Sequence, residues 1–257
     1  MLLEVILYVL IAVYGIVVGS FLNVCILRIP MKQTIVTERS HCMKCNYQLK
    51  WYDLVPLASW LMLKGRCRMC KEPISKQYPI IEAANGLIWL ITFLVRGIRF
   101  EFIYDAESIL FCLVFSCLLV LSVIDFRTYE IPIGCNIFIL AVGLIHLCMD
   151  YSNWLLYVIG LIAVSLFLYI IYIATKGRGI GGGDVKLMAV SGLLIGWKLN
   201  LLALILGCIL GSVIHIIRMK LTDEDNVLAM GPYLSMGILL SVLWGNQIID
   251  WYIGYIG

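Results

Sequence analysis

Charge is scarce in this chain. Only 14% of its 257 residues are Asp, Glu, Lys or Arg, against about a quarter in soluble proteins. With 62% hydrophobic residues and a mean hydropathy of +0.99, that excludes a soluble globular domain. The net charge of +3 is too small for the basic footprint of a nucleic-acid binder. No Lys or Arg precedes the first apolar run, because the first basic residue is Arg28. A cleaved signal peptide needs a basic segment ahead of its apolar core, so this run is expected to stay as a membrane span. H-E-x-x-H and G-x-S-x-G are also absent, which leaves zinc-dependent and serine protease chemistry without support.

What is present is apolar length. Runs at 2–27, 79–96, 107–124, 133–149, 154–174, 185–197, 199–217 and 230–246 approach or exceed the roughly 20 residues that cross a bilayer. They predict an all-α polytopic membrane protein of about eight transmembrane helices. The expected division is a first helix at 1–27, a cytoplasmic cysteine-rich loop at 28–78 and a transmembrane core at 79–257. Basic residues orient it. With the N-terminus outside, 16 of the 19 Lys and Arg fall on the inner side, leaving Arg96, Arg99 and Lys198 outside; such a bias marks the cytoplasmic face.

The loop after the first run is the one long polar segment, and it carries Cys42-Met43-Lys44-Cys45 and Cys67-Arg68-Met69-Cys70. Two such knuckles suit a four-thiolate structural zinc site, which would order a loop too long to stand without a core. Disulfides, thiol redox chemistry and cysteines without a ligand are the competing readings, and a cytosolic location argues against the first. His41 is either a substitute ligand or a solvated neighbour.

The second polar signal is a glycine run ending in an acid, Gly179-Ile180-Gly181-Gly182-Gly183-Asp184, followed by Val185 and Lys186. Glycines allow a tight bend and close approach of another chain, and an acid at the lipid edge is costly enough to be a functional candidate. The apolar stretch that follows is short for a span. The turn is therefore expected either to dip into the membrane or to precede a short span in a thinned bilayer. Asp125, at the cytoplasmic end of its own span, falls at the same depth. Two carboxylates that share a site can divide acid and base roles. Helix polarity predicts Asp184 as base and Asp125 as acid. The plainer reading of each is a hydrated interfacial anchor.

At these residues the chain resembles the type IV prepilin peptidases, the G-x-G-D aspartic membrane proteases. The similarity runs through Gly19-Ser20-Phe21-Leu22-Asn23, Arg28-Ile29-Pro30, the two cysteine knuckles, and Ser75 through Glu82. It continues through Asp125 with Ile131-Pro132, Gly181 through Leu187, and Gly231-Pro232. Two departures stand out: Gly134 lies where the family often has an acid just after the proline, and the knuckles lack their usual Pro and Gly.

The resemblance implies Asp125 and Asp184 as catalytic residues, with Gly181, Gly183 and Lys186 as motif support. It implies structural zinc on Cys42, Cys45, Cys67 and Cys70, and cleavage of the basic leader of prepilins or pseudopilins. The setting is the bacterial cytoplasmic membrane, with the site facing the cytoplasm and Glu130 and the Asp223-Glu224-Asp225 run as acids that would attract a basic leader or a solvated turn. Many relatives also methylate the new N-terminus with S-adenosylmethionine. Asn23 and Glu82, polar groups in apolar spans, are candidates for that role or for a polar contact between two spans. A zinc-organised assembly factor and a transporter built on the broken span are the alternatives from other classes.

Overall fold

In the computed structural model, residues 2–36, 39–221 and 228–256 are described, and the acidic run Asp223-Glu224-Asp225 lies outside them. The chain forms two compact units that meet in sequence between Glu101 and Phe102.

The first unit is built on α1 (Leu2–Arg28) and α3 (Gln77–Arg96). Between them runs the cysteine loop, which contains the short α2 (Ala58–Met62). Unbroken apolar sequence in lipid leaves the backbone no partner but itself, so both long segments are helical. Pro79 is tolerated in the first turn of α3, where its missing N–H costs no ladder bond. The two helices touch through small residues. A Cβ on Gly15 would sit 2.9 Å from the Gly86 Cα, and one on Gly19 2.8 Å from the Glu82 Cα. The Asn85 amide donates to the Gly15 carbonyl at 2.7 Å across this contact.

The second unit contains α4 (Phe102–Thr128), α5 (Ile133–Met149), α6 (Trp154–Ala174), α7 (Gly182–Leu221) and α8 (Gly231–Ile256). Phe115, Leu121, Ile139, Leu187 and Leu234 are buried at its centre. Among the described residues, six helices are long and apolar enough to cross a membrane, and α5 is a shorter apolar helix. The protein is thus an all-helical membrane protein.

The 40-residue α7 is not one rod. Gly196 has φ 76° and ψ 167°, left-handed values open to a residue without Cβ. The Asn200 amide reaches back to the Met188 carbonyl at 2.9 Å and accepts from the Ser191 hydroxyl at 2.8 Å. On a straight helix Asn200 and Met188 would stand roughly 18 Å apart, at about 1.5 Å per residue. The chain therefore folds back at Gly196, and residues 182–195 and 197–221 form two limbs. This recovers the separate runs expected at 185–197 and 199–217. The first limb is only about 21 Å long, short of a hydrocarbon core of roughly 30 Å.

Candidate active site

The last turn of α4 and the first turn of α7 each deliver one acid to a common cavity. Asp125 lies just before the α4 terminus and is 4% exposed. Its Oδ2 accepts the Gly231 N–H at 2.9 Å, at the start of α8. Asp184 is 9% exposed, and its Oδ2 accepts the Gly181 N–H at 3.2 Å. Gly181 precedes the first helical residue, so Asp184 caps its own helix from the third position, one half of a capping box. Both carboxylates line a cavity of about 280 Å³, together with Gly181, Gly183 and Lys186. Glu130 and Tyr129, on the α4–α5 connection, line it as well.

The glycine run differs from the strained bend expected of it. None of Gly179, Gly181, Gly182 or Gly183 has a left-handed φ; in this loop those values belong to Lys176 and Gly177. Gly182 and Gly183 are already helical. Their service is close approach. A Cβ on Gly183 would lie 3.0 Å from the Ile131 Cβ, and one on Gly181 3.0 Å from the Asp184 Oδ2.

One residue the sequence reading noted only as part of a motif proves central. A Cβ on Gly231 would lie 2.7 Å from the Asp125 Oδ2, so any larger residue here would push the carboxylate away from this backbone N–H or shift the start of α8. The Gly-Pro pair signals a helix start, but nothing in sequence says which carboxylate that start will meet. Asn136, a polar residue inside an apolar helix, also lines the cavity and was not singled out.

The cysteine loop forms a separate centre within the first unit. The sulfurs of Cys42, Cys45, Cys67 and Cys70 all lie within 4.8 Å of one another, with Cys42 to Cys70 at 3.9 Å and Cys45 to Cys67 at 4.0 Å. A tetrahedron with metal–sulfur bonds of about 2.3 Å has sulfur edges of roughly 3.8 Å, so the four thiols can hold a metal ion. The knuckles repeat one geometry: Cys42 N–H donates to the Tyr47 carbonyl at 2.9 Å, as Cys67 N–H does to Glu72 at 2.8 Å. Each knuckle is followed by a left-handed residue, Asn46 at φ 55° and Lys71 at φ 59°. These are the positions where glycine would be easiest, so the missing glycines leave the turn in place and change only its cost.

The N–H groups of Cys45 and Lys44 draw the Cys42 thiol below its usual range. At Cys70 the Glu72 N–H is outweighed by burial and the neighbouring sulfurs, which push the thiol up, as expected where several thiols crowd one another. Asp53 joins the two halves of the loop, accepting from Arg68 Nε at 2.7 Å and from the Tyr47 hydroxyl at 3.2 Å. His41 is exposed, makes a contact with the Arg39 carbonyl at 3.2 Å and is not among the clustered ligands.

Asn23 and Glu82 are buried between α1, α3 and the loop. The Asn23 amide donates to the Tyr78 carbonyl at 3.2 Å and its oxygen accepts from Gln77 at 3.3 Å. Glu82 accepts the Leu57 N–H at 2.7 Å.

Comparison with known proteins follows the same division into units. Residues 13–95 match the family described as Bacterial Peptidase A24 N-terminal domain, and residues 112–216 match the Type IV leader peptidase family. A protein of Stutzerimonas stutzeri is 30% identical over 95% of this chain and 92% of its own length. The chain belongs to the type IV leader peptidase family. A Bacillus subtilis relative is 31% identical over 94% of this chain and 96% of its own, and one from Legionella pneumophila 28% identical over 96% and 95%. All three are named prepilin leader peptidase/N-methyltransferase. No solved structure matches the chain. Family membership makes it a multi-pass membrane peptidase of bacterial type, and the second family match covers both aspartates.

Proposed function

We propose that this peptidase cleaves the basic leader of type IV prepilins or pseudopilins, with Asp125 and Asp184 as its catalytic pair. One observation carries the assignment: two buried carboxylates from different helices converge on one cavity, each with a single oxygen held by a backbone N–H. Among the described residues, that leaves one oxygen of each acid without a hydrogen bond. An ionised member activates water, and a protonated member polarises the peptide carbonyl. The names of the relatives supply the substrate class.

Helix polarity does not divide the two roles. Asp184 sits at the start of α7, but Asp125 receives an equivalent donor from the start of α8, which offsets the negative end of α4. The pair is therefore best treated as sharing one proton. The bias of Lys and Arg toward 28–78, 125–132, 175–184 and 218–229 supports a cytoplasmic location for the site. Lys186 and Glu130 bring charge of both signs to the cavity wall. The transporter reading gains nothing from the break in α7, since Gly196 is not part of the cavity lining.

Zinc suits the cysteine cluster by ligand type, number and spacing, and four thiolates leave no open position, so its role would be structural. For S-adenosylmethionine the fit fails at the residues considered. Both polar ends of Asn23 and one oxygen of Glu82 are taken up by neighbouring groups of the same unit, so we assign them to the contact between α1, α3 and the loop. The relatives' names alone support methyl transfer.

The test is cleavage of a purified prepilin by wild type, Asp125→Ala and Asp184→Ala. Loss of acid–base catalysis predicts a fall of about a thousandfold in each. Cleavage at wild-type rate by both variants would sink the assignment.

A further inference from the structure

Of the buried polar side chains left without a partner among the described residues, Asn136 alone lines the cavity of the two aspartates. It is 5% exposed, and neither its amide nitrogen nor its carbonyl oxygen has a hydrogen-bond partner. Burying an amide in this condition is costly. Asn23, Glu82 and Asn85 meet that cost with protein partners. Asn136 is buried in a membrane helix beside a cavity with none among the described residues, which calls for a ligand as its partner.

Register places it with the aspartates. A short connection makes α4 and α5 antiparallel neighbours. Asp125 lies three residues before Thr128, the last residue of α4, and Asn136 three after Ile133, the first of α5. Each is roughly 4.5 Å from its helix end, at about 1.5 Å per residue. Asp184 lies in the first turn of α7. All three side chains thus stand near one level, beside a wall of glycines at 181–183 that leaves a backbone room to approach.

The chemistry of the unpaired groups narrows what they bind. An oxyanion would use only the amide N–H, and a cation only the carbonyl oxygen. An extended peptide uses both, because it presents a carbonyl acceptor and an N–H donor side by side. We propose that Asn136 binds the substrate main chain next to the scissile bond, its Nδ2 donating to a peptide carbonyl and its Oδ1 accepting a peptide N–H. It makes and breaks no covalent bond; it holds the segment extended between Asp125 and Asp184. This deepens the peptidase reading and rests on it.

The test combines Asn136→Leu, which keeps the volume and removes both polar groups, with synthetic substrates. In these, one backbone N–H at a time is methylated on either side of the cleaved bond. Wild type is expected to lose about tenfold or more in kcat/KM at one methylated position. The variant is expected to show a KM raised by about the same factor on unmodified substrate with kcat little changed, and to be indifferent to methylation at that position. Its substrate-free Tm should equal or exceed wild type, since two unpaired buried groups are gone; a packing role would lower it. A wild-type KM, a retained wild-type pattern of sensitivity to methylation, or a lowered Tm with equal loss on every substrate each overturns the inference. Asp125→Ala run alongside separates the two readings: if it cleaves normally, the peptidase assignment has failed, whereas normal behaviour of Asn136→Leu alone defeats only the peptide clamp.

Discussion

The two units hold their reactive groups by opposite means. In the first, four thiols are gathered by a loop with little regular structure and little of a core. Met43, Trp51 and Met69 are exposed there, as are Cys45 and Cys70, and Asn46 and Lys71 keep left-handed backbones. A loop of this kind recovers its ordering entropy from a bound ion rather than from burial. In the second unit the acids are fixed by backbone N–H groups at two helix starts. Those helices are stabilised along their whole length by an apolar environment. The contrast teaches that the four thiols able to hold a metal ion belong to the loop, and that none of them is among the residues lining the aspartate cavity.

With zinc on the four thiols, as proposed, the largest effect should come from taking that metal away. Structural zinc contributes on the order of 10–16 kcal/mol in small thiolate sites, far more than any single contact in this loop. Chelation, or the double change Cys42→Ser and Cys70→Ser, is expected to make 28–78 sensitive to protease while helical content stays near wild type. Cleavage of a short soluble peptide should persist. If that activity vanished together with the order of the loop, the independence of the two centres would be wrong.

A smaller and more local effect is expected from Gly231→Ala. The added Cβ would stand 2.7 Å from the Asp125 Oδ2, so either the carboxylate or the start of α8 must move. A displacement near 1 Å costs about a hundredfold in rate. Stability should change little, because Ala is the better helix former by up to about 1 kcal/mol. Gly254→Ala, in the same helix with open space around it, is the control and should cleave normally. Equal behaviour of the two variants would remove Gly231 from the site.

Much of the fold was legible because the bilayer imposes it. The runs at 133–149 and 154–174 coincide with α5 and α6, since lipid sets both the length and the composition of a span. The two limbs of α7 were legible as separate runs at 185–197 and 199–217. The shortness of the first, however, points to a dip of the glycine turn or a thinned bilayer rather than to the break at Gly196. What sequence did not reveal was the local donors. That Gly231 serves Asp125 depends on which helix start packs beside which helix end, a pairing decided over a long sequence separation. The glycines before Asp184 invited a strained turn, yet the chain begins a helix there, because the Asp184 side chain caps the Gly181 N–H. In the knuckles, the absent glycines were visible, but not that Asn46 and Lys71 would keep the glycine-like backbone.

The smallest effect sharpens the comparison within the first unit, between its loop and its helix pair. The Asn85 amide donates to the Gly15 carbonyl at 2.7 Å between α3 and α1, at a contact already made close by Gly15, Gly19 and Gly86. Polar contacts between membrane helices are worth about 0.6–2 kcal/mol, because the separated helices find other partners for the same groups. Asn85→Ala is therefore expected to lower the unfolding free energy in detergent by about 1 kcal/mol, with metal content and cleavage both at wild-type level. A parallel loss of bound zinc would show that the helix pair and the loop fold as one cooperative body. Zinc retention with a slightly weakened helix pair would instead establish that the small-residue contact holds α1 and α3 together, with the loop fastened by its own ion.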